Sequence, residues 1–356
     1  MKKLLALMLA GVMVFSLAAC GSSSTEEAEE EAVEETTEEE EEEETEEVEE
    51  EAEEAEEETA SETYVIGICQ LVQHDALDLA TEGFKDAVIA AFGEENVEFD
   101  EQNAAGDSAT CATIINQFVS NEVDLIMANA TAAVQAAAQG TDTIPILGTS
   151  VTEYGVALDI DDFDGLIGTN VSGTSDLAPL DEQAAMIQEL FPDAETVGLL
   201  YCSAEANSQY QVDNVQVYLE ELGYTVTQYS FADSNDLSAV CTTAAEESDV
   251  IYVPTDNTVA SNTELIRNIC EPAGVPIVAG EEGICEGCGV ATLSISYYDL
   301  GYTTGEMAVA VLTGESDISE MEIQYAPEVT KEYNAELAEI MGVEIPDDYV
   351  AIATEE

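Results

Sequence analysis

From Thr63 onward, short apolar, β-rich runs alternate with segments of helical periodicity, and each run closes on a polar or glycine-containing turn. YVIGICQL from Tyr64, DLIMANA from Asp124, IPILGTS from Ile144, TVGLLYC from Thr196, VIYVPTD from Val250 and PIVAGE from Pro276 predict strands. Their near-continuous apolar character suits strands covered on both faces, hence a parallel sheet with helices on each side. The pattern is α/β and doubly wound. Roughly 290 residues is large for one core, so two lobes are expected.

The chain also repeats itself. DLIMANATAAV from Asp124 overlays DVIYVPTDNTV from Asp249, setting Thr131 on Asp256 and Val134 on Val259. GICQLVQHDAL from Gly67 overlays GLLYCSAEANS from Gly198, and IPILGTS overlays VPIVAGE, pairing Pro145 with Pro276 and Ser150 with Glu281. Three strand-and-turn segments in the same order imply two Rossmann-like lobes. GVATLSISYYDLGYTTGEMAVAVLTGE from Gly289 adds a strand and a long helix that crosses back to the first lobe, the first crossing falling near Gly165 to Val171. Several crossings make a hinge whose bending closes a cleft. The expected boundaries are residues 63–167 plus 291–320 for lobe 1, 168–290 plus 321–345 for lobe 2, and 346–356 as a tail.

Ahead of the lobes, Lys2, Lys3 and the apolar stretch Leu4 to Leu17 have a signal-peptide layout over residues 1–19. Leu17-Ala18-Ala19-Cys20-Gly21 resembles the bacterial lipobox, which implies acylation at Cys20 and anchoring outside the cytoplasm. Residues 20–62, the lipidated cysteine and its linker, are from Gly21 onward mostly Glu, Ala, Thr and Ser with no aromatic residue, so they bury too little to offset ordering entropy. Self-repulsion extends such a leash, with a reach of up to roughly 130 Å.

With 5 Lys+Arg against 79 Asp+Glu, nucleic acid and anionic lipid are unsuited as electrostatic partners. Beyond the signal peptide only Lys85, Arg267 and Lys331 are basic, so a ligand's anionic group must rely on backbone N–H groups and hydroxyls. The 8 cysteines include Cys20, and the odd remainder argues against a full disulfide framework. Cys69 and Cys202 sit in apolar runs and read as buried thiols. Cys285-Glu-Gly-Cys288 suits a local disulfide, two free thiols, or a redox or metal role; no second CxxC or His pair completes a zinc site.

In open α/β sheets ligands bind beyond the carboxyl ends of the strands, where helix N-termini present free N–H groups. Those ends carry Gln70 to His74, Asn129 to Thr131, Thr149 to Thr152, Ser203 to Asn207, Thr255 to Asn257, and Glu281 to Glu282. Ser, Thr, Asp and Asn there also suit helix N-caps, with or without a ligand. DIDDFDG from Asp159 hints at a calcium loop, but its glycine is one position late and no glutamate closes it, so it reads as an exposed connection. With no GxSxG, no P-loop and a single histidine lacking a nucleophile partner, neither an enzyme nor a cofactor or metal site is expected.

LVQHDALDLATEGF, GTSVTE, SDLAPLDEQ, YVPTDNTVAS and AGEEG followed by GVATLSISYYDLGYTTG resemble the ABC-transporter substrate-binding lipoproteins, whose better-known members bind tryptophan, tyrosine or phenylalanine. The resemblance runs from about Tyr64 to Gly342. It implies the type I periplasmic-binding-protein fold and a monomer that captures a small solute, an aromatic amino acid first, for a permease and its ATPase. Sensing or adhesion on the same fold, and another amino acid, a purine or a small heterocycle as ligand, remain the alternatives. Two features depart from the family: the Cys285/Cys288 pair, and Tyr154-Gly155 in place of an Asp-Pro step.

For an amino acid, the carboxylate falls to the hydroxyls of Thr131 and Ser150 with nearby helix-start N–H groups. By analogy with amino-acid binders of this fold, Asp176 and Glu281, together with Asp256, are candidates for the ammonium. The amides of Asn129, Asn207 and Asn257 suit orientation, His74 either stacks on the ligand or caps a helix, and Gln70 and Thr152 complete the expected cleft.

Overall fold

A computed structural model describes residues 63–326 and 328–353, so the expected signal peptide, the Cys20 acylation site and the acidic leash lie outside the described residues. The first stretch runs β1 (Tyr64–Gln70), α1 (Asp75–Phe92), β2 (Val97–Asn103), α2 (Ser108–Asn121), β3 (Leu125–Asn129), α3 (Thr131–Gly140), β4 (Ile146–Val151), α4 (Tyr154–Leu158) and β5 (Val171–Ser175). The second runs α5 (Leu180–Leu190), β6 (Thr196–Cys202), α6 (Ala206–Glu221), β7 (Thr225–Phe231), α7 (Ser234–Glu247), β8 (Val250–Val253), α8 (Asn257–Ala260), α9 (Thr263–Ala273), β9 (Ile277–Ala279), α10 (Glu282–Cys288) and β10 (Ala291–Ser294). The chain ends with α11 (Tyr297–Leu312), β11 (Gln324–Tyr325), β12 (Thr330–Tyr333), α12 (Ala335–Met341) and β13 (Val350–Ala351).

Two sheets form among the described residues, in the orders β11-β5-β4-β3-β1-β2 and β13-β12-β10-β9-β8-β6-β7. Every pairing between these strands is parallel except β10 with β12. The repeat is visible in this topology: β1 and β6, β3 and β8, β4 and β9 hold equivalent places. Even a local device recurs. Asp124 Oδ2 accepts from Val65 N at 2.8 Å, and Asp249 Oδ2 accepts from Glu195 N and Thr196 N at 2.9 Å, so each carboxylate ties the start of one strand to its neighbour.

The expected lobe boundaries need correction. β5 and β11 complete the first sheet, β10 belongs to the second, and β13 within the expected tail pairs with β12. The lobes are therefore linked at residues 176–179 and 295–296 and again where β11 of lobe 1 is followed by β12 of lobe 2, and the first crossing follows Ser175 rather than lying near Gly165 to Val171. β5, VSGTS, is fully buried despite its polar composition because its hydroxyls find partners inside. Ser172 Oγ donates to Met321 O at 2.9 Å, and Thr174 Oγ1 lies 2.8 Å from Thr304 Oγ1.

In lobe 1, Phe84 and Val88 of α1 and Met307 and Ala308 of α11 cover one sheet face, where Ile66, Ile68, Leu125 and Met127 project. Helices α2 and α3 cover the other face. α1 and α11 lie close enough that a Cβ at Gly301 would fall on Ala80 O, and one at Gly305 would reach Phe84 O. Glycine is required there for backbone-to-backbone packing. Lobe 2 is built the same way, with an apolar layer on each face of its sheet.

Candidate functional site

The crossings bring the carboxyl ends of both sheets against each other. Among the non-glycine residues of lobe 1 with positive φ are Ala130, between β3 and α3, at 88°, and Ser150, near the end of β4, at 54°. Such conformations cost of order 1–3 kcal/mol and gather at functional sites. Ser150 is 6% exposed, yet its Oγ has no hydrogen-bond partner.

Asp176 is the second orphan. It sits on the first crossing, 5% exposed, its Oδ2 accepting from Tyr297 OH at 3.0 Å and its Oδ1 without a partner. Burial pushes its pKa up to about 6. Ser150 and Asp176 line one interlobe cavity together with His74, Asn207 and Asp256. Asn257, Glu281, Leu77 and Tyr297 also face it.

The other two buried acids are already engaged. Asp256 caps α8, its Oδ1 accepting from Val259 N at 2.9 Å, while Oδ2 accepts from Cys202 N at 2.6 Å. Burial, with repulsion from Glu205, raises its pKa to about 8. Glu281 caps α10 by accepting from Gly283 N and Ile284 N, and burial raises its pKa to about 7. No cation offsets these acids within the cavity wall, which therefore favours a bound cationic group. Asp176, with a free oxygen, is the acceptor best placed to receive one.

The cavity measures about 20 Å³, room for a water or two rather than an amino acid. The lobes are drawn together around it. His74 Nε2 lies 3.2 Å from Asn257 Oδ1, Gln211 Nε2 donates to Thr152 Oγ1 at 3.3 Å, and Thr152 and Thr255 hydroxyls are 3.5 Å apart. Burial holds the His74 imidazole below its usual pKa, which favours the neutral ring in this contact. Beyond His74 and Glu281 a wider cavity of about 300 Å³ opens, walled by Asp75, Thr263 and Arg267. A ligand of amino-acid size enters only if the hinge opens or the wall yields.

Four of the expected residues stand apart from the cavity. Gln70 is tied within lobe 1: its Nε2 donates to Val72 O and Asp78 Oδ1, and its Oε1 accepts from Thr81. Asn129 Nδ2 donates to Leu77 O and Thr81 Oγ1, so the amide fastens β3 to α1. Thr131 is the buried first residue of α3 and Thr152 belongs to the interlobe seam. Asn207 keeps its cavity position, but its Nδ2 is bound to Thr255 O at 3.0 Å. Tyr154, whose step with Gly155 departs from the family pattern, fills the lobe 1 core and donates to Thr174 O at 3.0 Å. Leu77 and Gln211 were missed; both are helical side chains one or more turns from a strand end, with no sequence mark to separate them from core residues.

Cys285 and Cys288 are free and buried three residues apart on α10, and the Cys288 thiol donates to Ile284 O at 3.4 Å. Of their open readings, the structure shows two free thiols.

The family described as ABC transporter substrate binding protein matches residues 65–356. A tyrosine-binding protein of Clostridioides difficile (strain R20291) is 36% identical over 259 residues, covering 70% of this chain and 73% of that protein. The crystal structure of an ABC domain in complex with L-Trp from Streptococcus pneumonia is 31% identical, covers 80% of this chain and 96% of its own, and superposes with a TM-score of 0.77. A ligand-free, open substrate binding protein with adhesive properties from Clostridium difficile is 35% identical, covers 82% and 100%, and superposes with a TM-score of 0.64. The lower score at higher identity agrees with lobes drawn together here. The fold is that of the type I periplasmic binding proteins, and these relatives are solute-binding proteins rather than enzymes.

Proposed function

The chain belongs to the ABC transporter substrate-binding protein family, and we propose that it captures an aromatic amino acid between its lobes and hands it to the permease. The observation that carries this reading is the pair of buried, unpartnered polar atoms, Ser150 Oγ and Asp176 Oδ1, facing one cavity. Asp176 takes the ammonium, while Ser150 and nearby backbone N–H groups take the carboxylate, a division that suits a zwitterion in a cleft with no cation of its own. The side chain extends past His74 and Leu77. The tyrosine-binding relative and the L-Trp complex support the aromatic choice. Closure is a population shift, because the ligand touches both lobes only when they meet.

A thermal-shift screen against the twenty amino acids, purines and small sugars tests the ligand class. Stabilisation by Tyr, Trp or Phe of about 5 °C at a hundredfold excess over Kd is expected. A shift with sugars or purines alone would remove the aromatic assignment.

Proteins of this family work outside the cytoplasm, and we assign retention there to acylation of Cys20, on the strength of the lipobox-like LAACG. Radiolabelled palmitate should label the wild-type chain in a bacterial host, and Cys20→Ser should abolish the label. Equal labelling of both would place the attachment elsewhere. The adhesive relative favours a second role, attachment to surfaces.

A further inference from the structure

We propose that Cys241 and Cys270 are an oxidisable pair that forms a disulfide inside lobe 2. Cys241 lies on α7 and Cys270 on α9, and their sulphurs are 3.7 Å apart. Both are buried in the same apolar layer, at 0% and 1% exposure. Each is the other's sulphur partner, whereas the Cys288 and Cys202 thiols donate to the carbonyls of Ile284 and Ala232. The Cys270 thiol also holds the Cys241 pKa below its ordinary value despite burial, which favours Cys241 as the attacking thiolate.

A disulfide requires about 2.05 Å between sulphurs, so from 3.7 Å the pair must close by about 1.6 Å, which rotation about the side-chain torsions can supply. The extracytoplasmic setting of the family is one in which disulfides persist. The oxidant is an external disulfide, from a small thiol or an oxidoreductase. The Cys241 thiolate attacks one of its sulphurs, forming a mixed disulfide and releasing one thiol. Cys270 then loses its proton, attacks the Cys241 sulphur and expels the second thiol. Two protein thiols are oxidised and one external disulfide is reduced to two thiols. Because both sulphurs are buried, exchange proceeds through local opening of α7 from α9 in the otherwise folded protein. The segment closed by the new bond contains β8 and α8, and so carries Asp256 and Asn257 of the cleft wall.

The test uses the purified full chain incubated under native conditions with oxidised glutathione, freed of it, then alkylated with iodoacetamide in urea, cleaved without reductant and analysed by mass spectrometry. The expected product is a linked pair of peptides containing Cys241 and Cys270, with a Tm roughly 5 °C above that of dithiothreitol-treated protein. Cys270→Ala should lose the link and the shift together, whereas a Cys285→Ala/Cys288→Ala double variant should keep both. The proposal is overturned if both cysteines carry the alkyl label after oxidation, if either pairs with another cysteine, or if the link forms only in urea.

Discussion

Asp176→Asn should lower affinity for the amino-acid ligand by about 100-fold or more while leaving the fold intact. The substitution is nearly isosteric, but it replaces a carboxylate with a free oxygen by a neutral amide, and losing one partner of a buried charge pair costs about 2–5 kcal/mol. Isothermal titration calorimetry reads the effect. Asp161→Ala, in the exposed connection after α4, is the control and should leave affinity unchanged. Asp256→Ala should differ from both. It removes the cap of α8 and strands the N–H groups of Cys202 and Val259, so the midpoint of urea unfolding should fall along with affinity. If Asp176→Asn binds like wild type, Asp176 is not the ammonium partner. Adhesion, if the chain has it, should survive this variant.

The ligand-free protein should become more stable as pH falls from about 8 towards 4, while ligand affinity moves the other way. Asp176, Asp256 and Glu281 have folded-state pKa values of about 6, 8 and 7, all above the ordinary carboxylate range. Between the unfolded and folded values the native state holds more protons than the unfolded state, so stability falls as pH rises through that window. For Asp176 alone, a rise of roughly two units corresponds to about 3 kcal/mol. Exposed Asp249 works in the opposite sense, its pKa lowered by backbone donors, but only where pH falls below the ordinary carboxylate range. Binding an ammonium requires ionised Asp176, so affinity should drop about tenfold per unit below pH 6, with proton release on binding near that pH. Urea midpoints and calorimetric titrations between pH 5 and 8 measure both slopes; stability that is flat or rises with pH would show that the carboxyls are not protonated in the folded protein.

The central strands were legible because burial on both faces writes an apolar run. Edge strands β2, VEFDEQN, and β7, TVTQYSF, were not, since each is covered only in part and mixes acids, amides and hydroxyls with its apolar residues. The polar strand β5 hid for another reason: its hydroxyls are satisfied by Met321 O and Thr304, far away in sequence. The same distinction divides the site. Strand-end position located Ser150, Asp256 and Glu281 in one cavity, with Asp176 named by the resemblance, but it was equally true of Gln70 and Asn129, whose side chains bond Thr81 within lobe 1. The bond of Tyr297 to Asp176 joins two crossings that sequence alone does not bring together.

Helix α11 closes the core of the lobe that the chain begins, yet it follows most of the other lobe in sequence. Tyr64 OH, at the start of β1, donates to Leu312 O, at the end of α11, across 248 residues. A chain emerging N-terminus first thus has β1 to β5 available long before the helix that covers their face, leaving Ile66, Leu125 and Met127 without their α11 cover. Strands β6 to β10 and the helices between them are contiguous, so the second lobe can assemble its central layers first. Lobe 1 is thus completed only after β6 to β10 of lobe 2 have been made, around a helix delivered from the far side of its partner.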